Sequence, residues 1–167
     1  MKEITCLTIN TDASWHPIHK CGGYAFYIVC DLFKIQKAGR FKNNPKSSED
    51  AEIMCLGNAL ATLLAQKELP TAKWLIINGD CTKGMERVRT VSMAKISNKD
   101  PIAKSVNSLR LKLIQRLKSN KNKMRHVKAH NGTPDARSWV NDWCDREAKK
   151  YMRMQIPKQS TVNAMSA

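Results

Sequence analysis

The sequence predicts a mixed α/β domain: a five-stranded sheet with helices on its faces. Three observations carry that prediction. Strand-like segments joined by short connections occupy residues 4–41. From residue 48 to about residue 152, helical and strand-like segments alternate. The chain has 167 residues and is 42% hydrophobic, enough for one domain with a full-sized core and too apolar for disorder.

The first strand is expected over Ile4–Ser14, where Ile, Thr and Leu dominate, with the buried part ending at Asp12. Trp15–Cys21 reads as a loop. Gly22-Gly23 then opens an aromatic and β-branched strand, Tyr24–Cys30, and permits close approach of a helix or a substrate. Asp31 turns the chain into a third strand over Leu32–Phe41. Such short connections make the first three strands an antiparallel meander. Ser48 is the expected N-cap of a helix running to about Gln66, with Ile53, Leu56, Leu60, Leu63 and Leu64 at helical spacing. Glu49 and Asp50 read as solvated charges favouring the helix dipole, whereas Glu52, one turn before Leu56, lies towards the packed face.

Lys73–Asn78 is the fourth strand, and Gly79–Gly84 its exit. Residues 85–100 read as a helix plus a loop. Pro101 at the first helical position after Asp100 starts a helix to about Leu117, with Ile102, Val106, Leu109, Leu113 and Leu117 on one stripe. Ser119–Lys123 reads as a turn, Arg125–Ala129 as the fifth strand and His130–Pro134 as a loop. Asp135 or Ser138 caps the last helix, whose packed positions are Trp139, Val140, Trp143, Cys144, Ala148 and Tyr151. The expected domain spans residues 1–153, followed by a disordered tail over 154–167 with no periodic stripe.

Charge points to a partner. Twenty-nine Lys and Arg against 14 Asp and Glu leave a net charge of +15, which favours a polyanion. Between Pro101 and Pro134 there are nine basic residues and no acidic one. One sign along a helix, a turn and a strand reads as phosphate contact. The six cysteines form no C-x-x-C pair, so a structural zinc site is not expected. No signal peptide or membrane-length apolar run is visible, so the expected setting is the reducing cytoplasm, with no membrane partner.

Four carboxylates lie where packed elements converge: Asp12 on the first strand, Glu52 in the opening turn of a helix, Asp80 after the fourth strand and Asp145 on the last helix. Singly, each reads equally well as a turn or capping acid. Together they would repel one another unless cations filled the cluster, and oxygen-only ligands suit a hard cation such as Mg²⁺.

In these pieces the chain resembles the ribonuclease H family. The matching residues are Thr11-Asp12-Ala13-Ser14, Ala51-Glu52, Asp80 after an apolar strand, Val127-Lys128-Ala129-His130-Asn131-Gly132, and Asn141-Asp142-Trp143-Cys144-Asp145. Order and coarse spacing agree from residue 4 to about 152. The resemblance implies a strand order of 3-2-1-4-5, with Asp12 beside Asp80. It implies a metal-dependent endonuclease that cuts the RNA strand of RNA–DNA hybrids and leaves 5′-phosphates. Two Mg²⁺ ions (or Mn²⁺) roughly 4 Å apart would clamp the scissile phosphate. Asp12 would bridge them, Glu52 and Asp80 would hold the water-side ion, and Asp145 the other. His130 would move a proton or assist product release.

Ser14, Ser47, Thr82, Lys118, Lys121, Lys123 and Lys128 are the expected nucleic-acid contacts, and a monomer is the expected state. Two departures from the family bear on selectivity. Ser47-Ser48-Glu49 stands where the family commonly has Thr-Asn-Asn, whose asparagines read the minor groove and 2′-hydroxyls, and Ala13 replaces a glycine. Two other readings therefore stand beside the hybrid nuclease: a nuclease of the same fold acting on DNA or branched junctions, and a non-catalytic nucleic-acid-binding module.

Overall fold

The structure, a computed structural model, describes residues 2–91, 100–127 and 136–157, with the side chains of 136–138 left aside. The chain runs β1 (Glu3–His16), β2 (Cys21–Val29), β3 (Lys34–Arg40), α1 (Ser48–Leu64), β4 (Thr71–Gly79), α2 (Thr82–Thr90), α3 (Pro101–Leu117), β5 (Lys121–His126) and α4 (Ala136–Arg153). The sheet order is β3-β2-β1-β4-β5. β1, β2 and β3 pair antiparallel, while β4 is parallel to both β1 and β5. Fold class and strand order are as expected.

Alternation along the strands sorts two cores. Leu7, Ile9, Phe26, Ile28, Leu75 and Ile77 are buried and belong to the main core with α1 and α3. On the other face Ala25 and Tyr27 pack against Cys144 and Ala148 of α4. Gly23 shows how close α4 lies: a Cβ there would come within 2.2 Å of the Ala148 carbonyl oxygen. Gly23 thus serves helix approach, while a Cβ at Gly22 would press on the Ser14 carbonyl and the Phe41 ring. Past Arg153 the described chain stays attached, since Gln155 Nε2 donates to the Gly22 carbonyl at 2.8 Å. Residues 158–167 of the expected tail lie outside the described residues.

Several expected boundaries change, each for a physical reason. β1 continues through Asp12 to His16 because β2 pairs with it as far as Cys21, which leaves only four residues in the hairpin loop. The N-cap of α1 is Ser47, not Ser48. Its hydroxyl accepts from the Asp50 N–H at 3.1 Å, the third helical position, which Ser48 stands one residue too late to reach. Asp50 is buried rather than solvated, bound to Arg87. α2 begins at Thr82, inside the expected exit loop, with Cys81 Sγ capping Gly84. β5 begins at Lys121, inside the expected turn, because Lys118 alone makes the reversal in a left-handed conformation (φ 51°). Trp139, expected in the core, is 52% exposed. The expected caps Asp135 and Ser138 lie outside the described residues and side chains.

Candidate metal centre

The register of the parallel pair positions the site. β1 residues face β4 residues at a constant offset, ending with Asn10 opposite Asn78. Continued by two residues, that offset sets Asp12 beside Asp80. Beyond the last pair, β1 is held by other bonds. Thr11 Oγ1 donates to the Asn78 carbonyl at 3.4 Å, and the Cys55 thiol of α1 reaches the Asp12 and Ala25 carbonyls, both at 3.3 Å. Sequence alone reads Cys55 as a small apolar filler. Its place in the site came only with the packing of α1 on β1.

Glu52 reaches the same point from α1, and its Oε1 accepts the Ala13 N–H at 3.1 Å. One carboxylate oxygen from each of Asp12, Glu52 and Asp80 lies within 4.8 Å of the other two. Burial, then Asp80 and Asp145, push the Asp12 carboxyl up to about 8, although Lys149 and the Ala13 N–H pull it down. Burial, then Asp80 and Asp12, raise Glu52 well above the usual carboxylate range. Two acids that resist ionisation beside a third mark a cluster short of positive charge. Three hard oxygen donors at this spacing fit a divalent cation such as Mg²⁺ or Mn²⁺.

The fourth expected ligand stands apart. Asp145 is near enough to raise Asp12, but its own carboxylate is bound by Lys149, one helical turn on, at 2.7 Å. It is outside the three-oxygen cluster. Asp142, one turn earlier on α4, lines the concavity beside Asp12, Asp80, Thr11 and Val127. Sequence reasoning missed Asp142, although its spacing of three residues from Asp145 on a helix was a usable signal.

The other expected residues scatter. Ser14 is in β1 opposite Gly23. Ser47 spends its oxygen on the α1 cap. Thr82, exposed, begins α2 two residues after Asp80. Lys121 and Lys123 face the α4 side of β5 rather than forming a turn, with Lys121 over the Trp74 ring at 5.0 Å. Lys118 and Lys121 lie at the far end of the sheet from Asp80. Trp74, which pairs with Lys121, is six residues before Asp80, about 20 Å along the strand. His126, expected as a structural residue inside its strand, is exposed at the end of β5. Lys128 and His130 lie outside the described residues.

Comparison with known proteins gives three results. The family model for RNase H matches residues 5–153. The fold is similar to the N-terminal RNase H domain of a Mycobacterium tuberculosis protein, solved as a fusion with maltose-binding protein (TM-score 0.54, 17% identity, covering 90% of this chain and 96% of that one). It is also similar to RNase H1 of the halophilic archaeon Halobacterium salinarum (TM-score 0.56, 14% identity, covering 89% and 98%). No curated protein sequence matches the chain.

Proposed function

Because the chain belongs to the ribonuclease H family, we propose that it is a metal-dependent endoribonuclease that hydrolyses the RNA strand of RNA–DNA hybrids and leaves 5′-phosphates. The observation that carries this reading is the convergence of Asp12, Glu52 and Asp80 within 4.8 Å, with two of the three held above their usual range by burial and mutual repulsion. A purely structural acid cluster would have recruited a lysine or arginine.

Two bound divalent cations, Mg²⁺ or Mn²⁺, would supply the charge that activates a water and steadies the leaving oxygen. The chain's own part is to hold and orient. Asp12, from the rigid end of β1, would hold the cations together with Glu52 and Asp80, and Asp145 would join from α4 on releasing Lys149. His130 moves a proton at the departing group. The net charge of +15 supports a nucleic-acid substrate. No helix among the described residues is long and apolar enough to cross a membrane. All six cysteines are unpaired, which supports a reducing, cytosolic setting.

A second reading, a nuclease of the same fold acting on DNA or branched junctions, gains support from α1. The Ser47 oxygen is engaged as the cap, and Glu49 pairs with Arg87 at 3.5 Å. Of the two, Glu49 stands at an asparagine position of the family, and a carboxylate already paired with an arginine does not donate to a 2′-hydroxyl as an asparagine would. Assaying RNA–DNA hybrid, duplex DNA, duplex RNA and branched DNA side by side, with Mg²⁺ and with Mn²⁺, separates the two. Preferential cutting of the hybrid's RNA strand is expected. Cutting confined to branched or duplex DNA would replace the first reading with the second, and metal-dependent cutting of no substrate would remove both.

A further inference from the structure

We propose that the half of the sheet left uncovered by the described helices, on the side that α4 covers elsewhere, is a track for unpaired single-stranded nucleic acid, with a pocket for one base next to the carboxylate cluster. This adds to the nuclease reading a contact that equilibrium binding tests without any cleavage.

α4 packs against β1, β2 and β3. On that face β4 presents the half-buried Trp74, Ile76 and Asn78, and β5 presents Lys121, Lys123 and Arg125, each opposite its β4 partner. Where α4 begins, a cavity opens between Tyr27 and Trp139 on one side and Asn10, Asn78 and Arg125 on the other. Four of them form one row across the sheet, since Tyr27 faces Asn10, Asn10 faces Asn78, and Asn78 faces Arg125.

A relay fixes the amides in that row. Asn10 Nδ2 donates to the Tyr27 carbonyl at 3.3 Å, which turns Asn10 Oδ1 towards Asn78 Nδ2 at 2.8 Å. Asn78 Oδ1 is thereby left pointing elsewhere, buried and without a partner, and Arg125 Nε opposite it is buried and unpartnered too. Both residues line the cavity, and a base, whose edge carries donors and acceptors, can meet the unpartnered acceptor of the one and the unpartnered donor of the other. The aromatic wall is at hand: Tyr27 and Trp139 meet edge to face at 5.9 Å, and Trp139 is half exposed at the mouth.

Along the strands the rows continue in both directions. Two residues one way lie Asp12 and Asp80. Two and four residues the other way lie Lys123 and Lys121, at steps of about 6.6 Å. That step suits successive phosphates of an extended strand. Between the carboxylates and Lys121, none of the β1, β4 and β5 residues on this face is acidic: Thr8, Asn10, Trp74, Ile76, Asn78, Lys123 and Arg125. Lysines on an edge strand also discourage strand-to-strand aggregation. That role alone leaves the two orphaned atoms and the aromatic-walled cavity without a use.

The test is fluorescence anisotropy in EDTA with labelled single-stranded oligo-uridine and a labelled blunt RNA–DNA duplex. Trp139→Ala should weaken oligo-uridine roughly tenfold or more, and blunt duplex by under about twofold. Trp139→Phe, which keeps a stacking ring, should recover most of the loss, and Arg125→Met should behave as Trp139→Ala does. The Lys121→Gln/Lys123→Gln pair should flatten the salt slope for oligo-uridine by about 1.4, at roughly 0.7 per phosphate. Thermal melts accompany each variant, so that a folding defect is read as such. Equal losses on single strand and blunt duplex, or unchanged single-strand affinity in folded Trp139→Ala and Arg125→Met, would overturn the proposal. A protein that binds oligo-uridine this way yet cuts nothing fails only the nuclease reading. A nuclease indifferent to these changes fails only this one.

Discussion

Two groups of three carboxylates meet at the start of α1, and the fold treats them in opposite ways. Glu49, Asp50 and Asp100 surround Arg87. Its Nε and NH2 donate to Asp100 at 2.8 and 3.0 Å, NH2 also reaches Asp50 at 3.0 Å, and NH1 lies 3.5 Å from Glu49. Asp100 additionally caps α3 through the Ala103 N–H. The guanidinium holds Asp100 below the usual carboxylate range. One turn along α1, Glu52 meets Asp12 and Asp80, and there two acids are pushed up instead. Lys149, a cation near enough to act on Asp12, is bonded to Asp145. The first group carries its counter-charge in the chain, while the second, among the described residues, has no cation bonded to its three carboxylates. A count of carboxylates would score the two alike, and only their cations tell structure from site.

The largest effect should come from breaking the second group. Asp12→Asn removes one charge at nearly constant shape. Cleavage should fall by more than the roughly 10–100-fold that changing an outer-sphere partner costs, with the fold intact by circular dichroism. Wild-type-like turnover would dismiss Asp12 from the site.

Next in size is His130, which lies outside the described residues. Proton transfer by a positioned side chain is worth roughly 10²–10⁴-fold, so His130→Ala should lower kcat within that range and leave Mg²⁺ affinity unchanged. His126→Ala serves as its control. Being exposed at the end of β5, it should leave both turnover and melting nearly unchanged. The reverse pattern would mean that the residues matched to the family in the last third are out of register.

Arg87→Met tests the first group. It strips charged hydrogen bonds from Asp50 and Asp100 on three elements, and should cost about 1–3 kcal/mol of stability by urea denaturation. Mg²⁺ affinity should not move. A shifted metal affinity would mean that the two groups act as one.

The smallest and most specific contrast is in pH. In the metal-free protein, Asp12 holds its proton up to about 8 when folded but only to about 4 when unfolded. Its share of stability is therefore full below about pH 4 and is lost as pH rises from there to about 8. Asp100 has the opposite sign. Its share is present above the ordinary carboxylate range and is lost as pH falls through its lowered value. Asp12→Asn should flatten the profile between about pH 4 and about pH 8, and Arg87→Met its fall below the ordinary carboxylate range. Parallel profiles for both variants would remove the distinction.

Much of this was legible in the sequence wherever a pattern was local. The stripe of α3 and its Asp100-Pro101 start are as expected, because cap, proline and period agree. Asp12, Glu52 and Asp80 were legible because each stands where an apolar element ends or begins. β5 was misplaced because Lys-Asn-Lys-Met-Arg-His has no apolar alternation, as befits an edge strand whose outward positions meet solvent. The Arg87 group was invisible because its partners come from 37 and 13 residues away, and such pairings follow from packing rather than spacing. Asp145 was expected as a fourth ligand in the cluster. A lysine four residues on, itself readable as a helix pair, now binds it.

The most direct measurement is a set of thermal melts of the wild type, Asp12→Asn and Asp50→Asn, each with EDTA and with Mg²⁺ at about a hundredfold over its dissociation constant. At that ratio a ligand bound only by the folded state adds about 2.7 kcal/mol, or about 5–10 °C for a domain of this size. A cation-seeking cluster predicts that the wild type and Asp50→Asn gain that much. Asp12→Asn should gain little, yet in EDTA melt no lower than the wild type, because the cost of burying a carboxyl that must take up a proton to fold is gone. An Asp12→Asn protein that melts well below the wild type in EDTA and still gains the full Mg²⁺ shift would contradict the account.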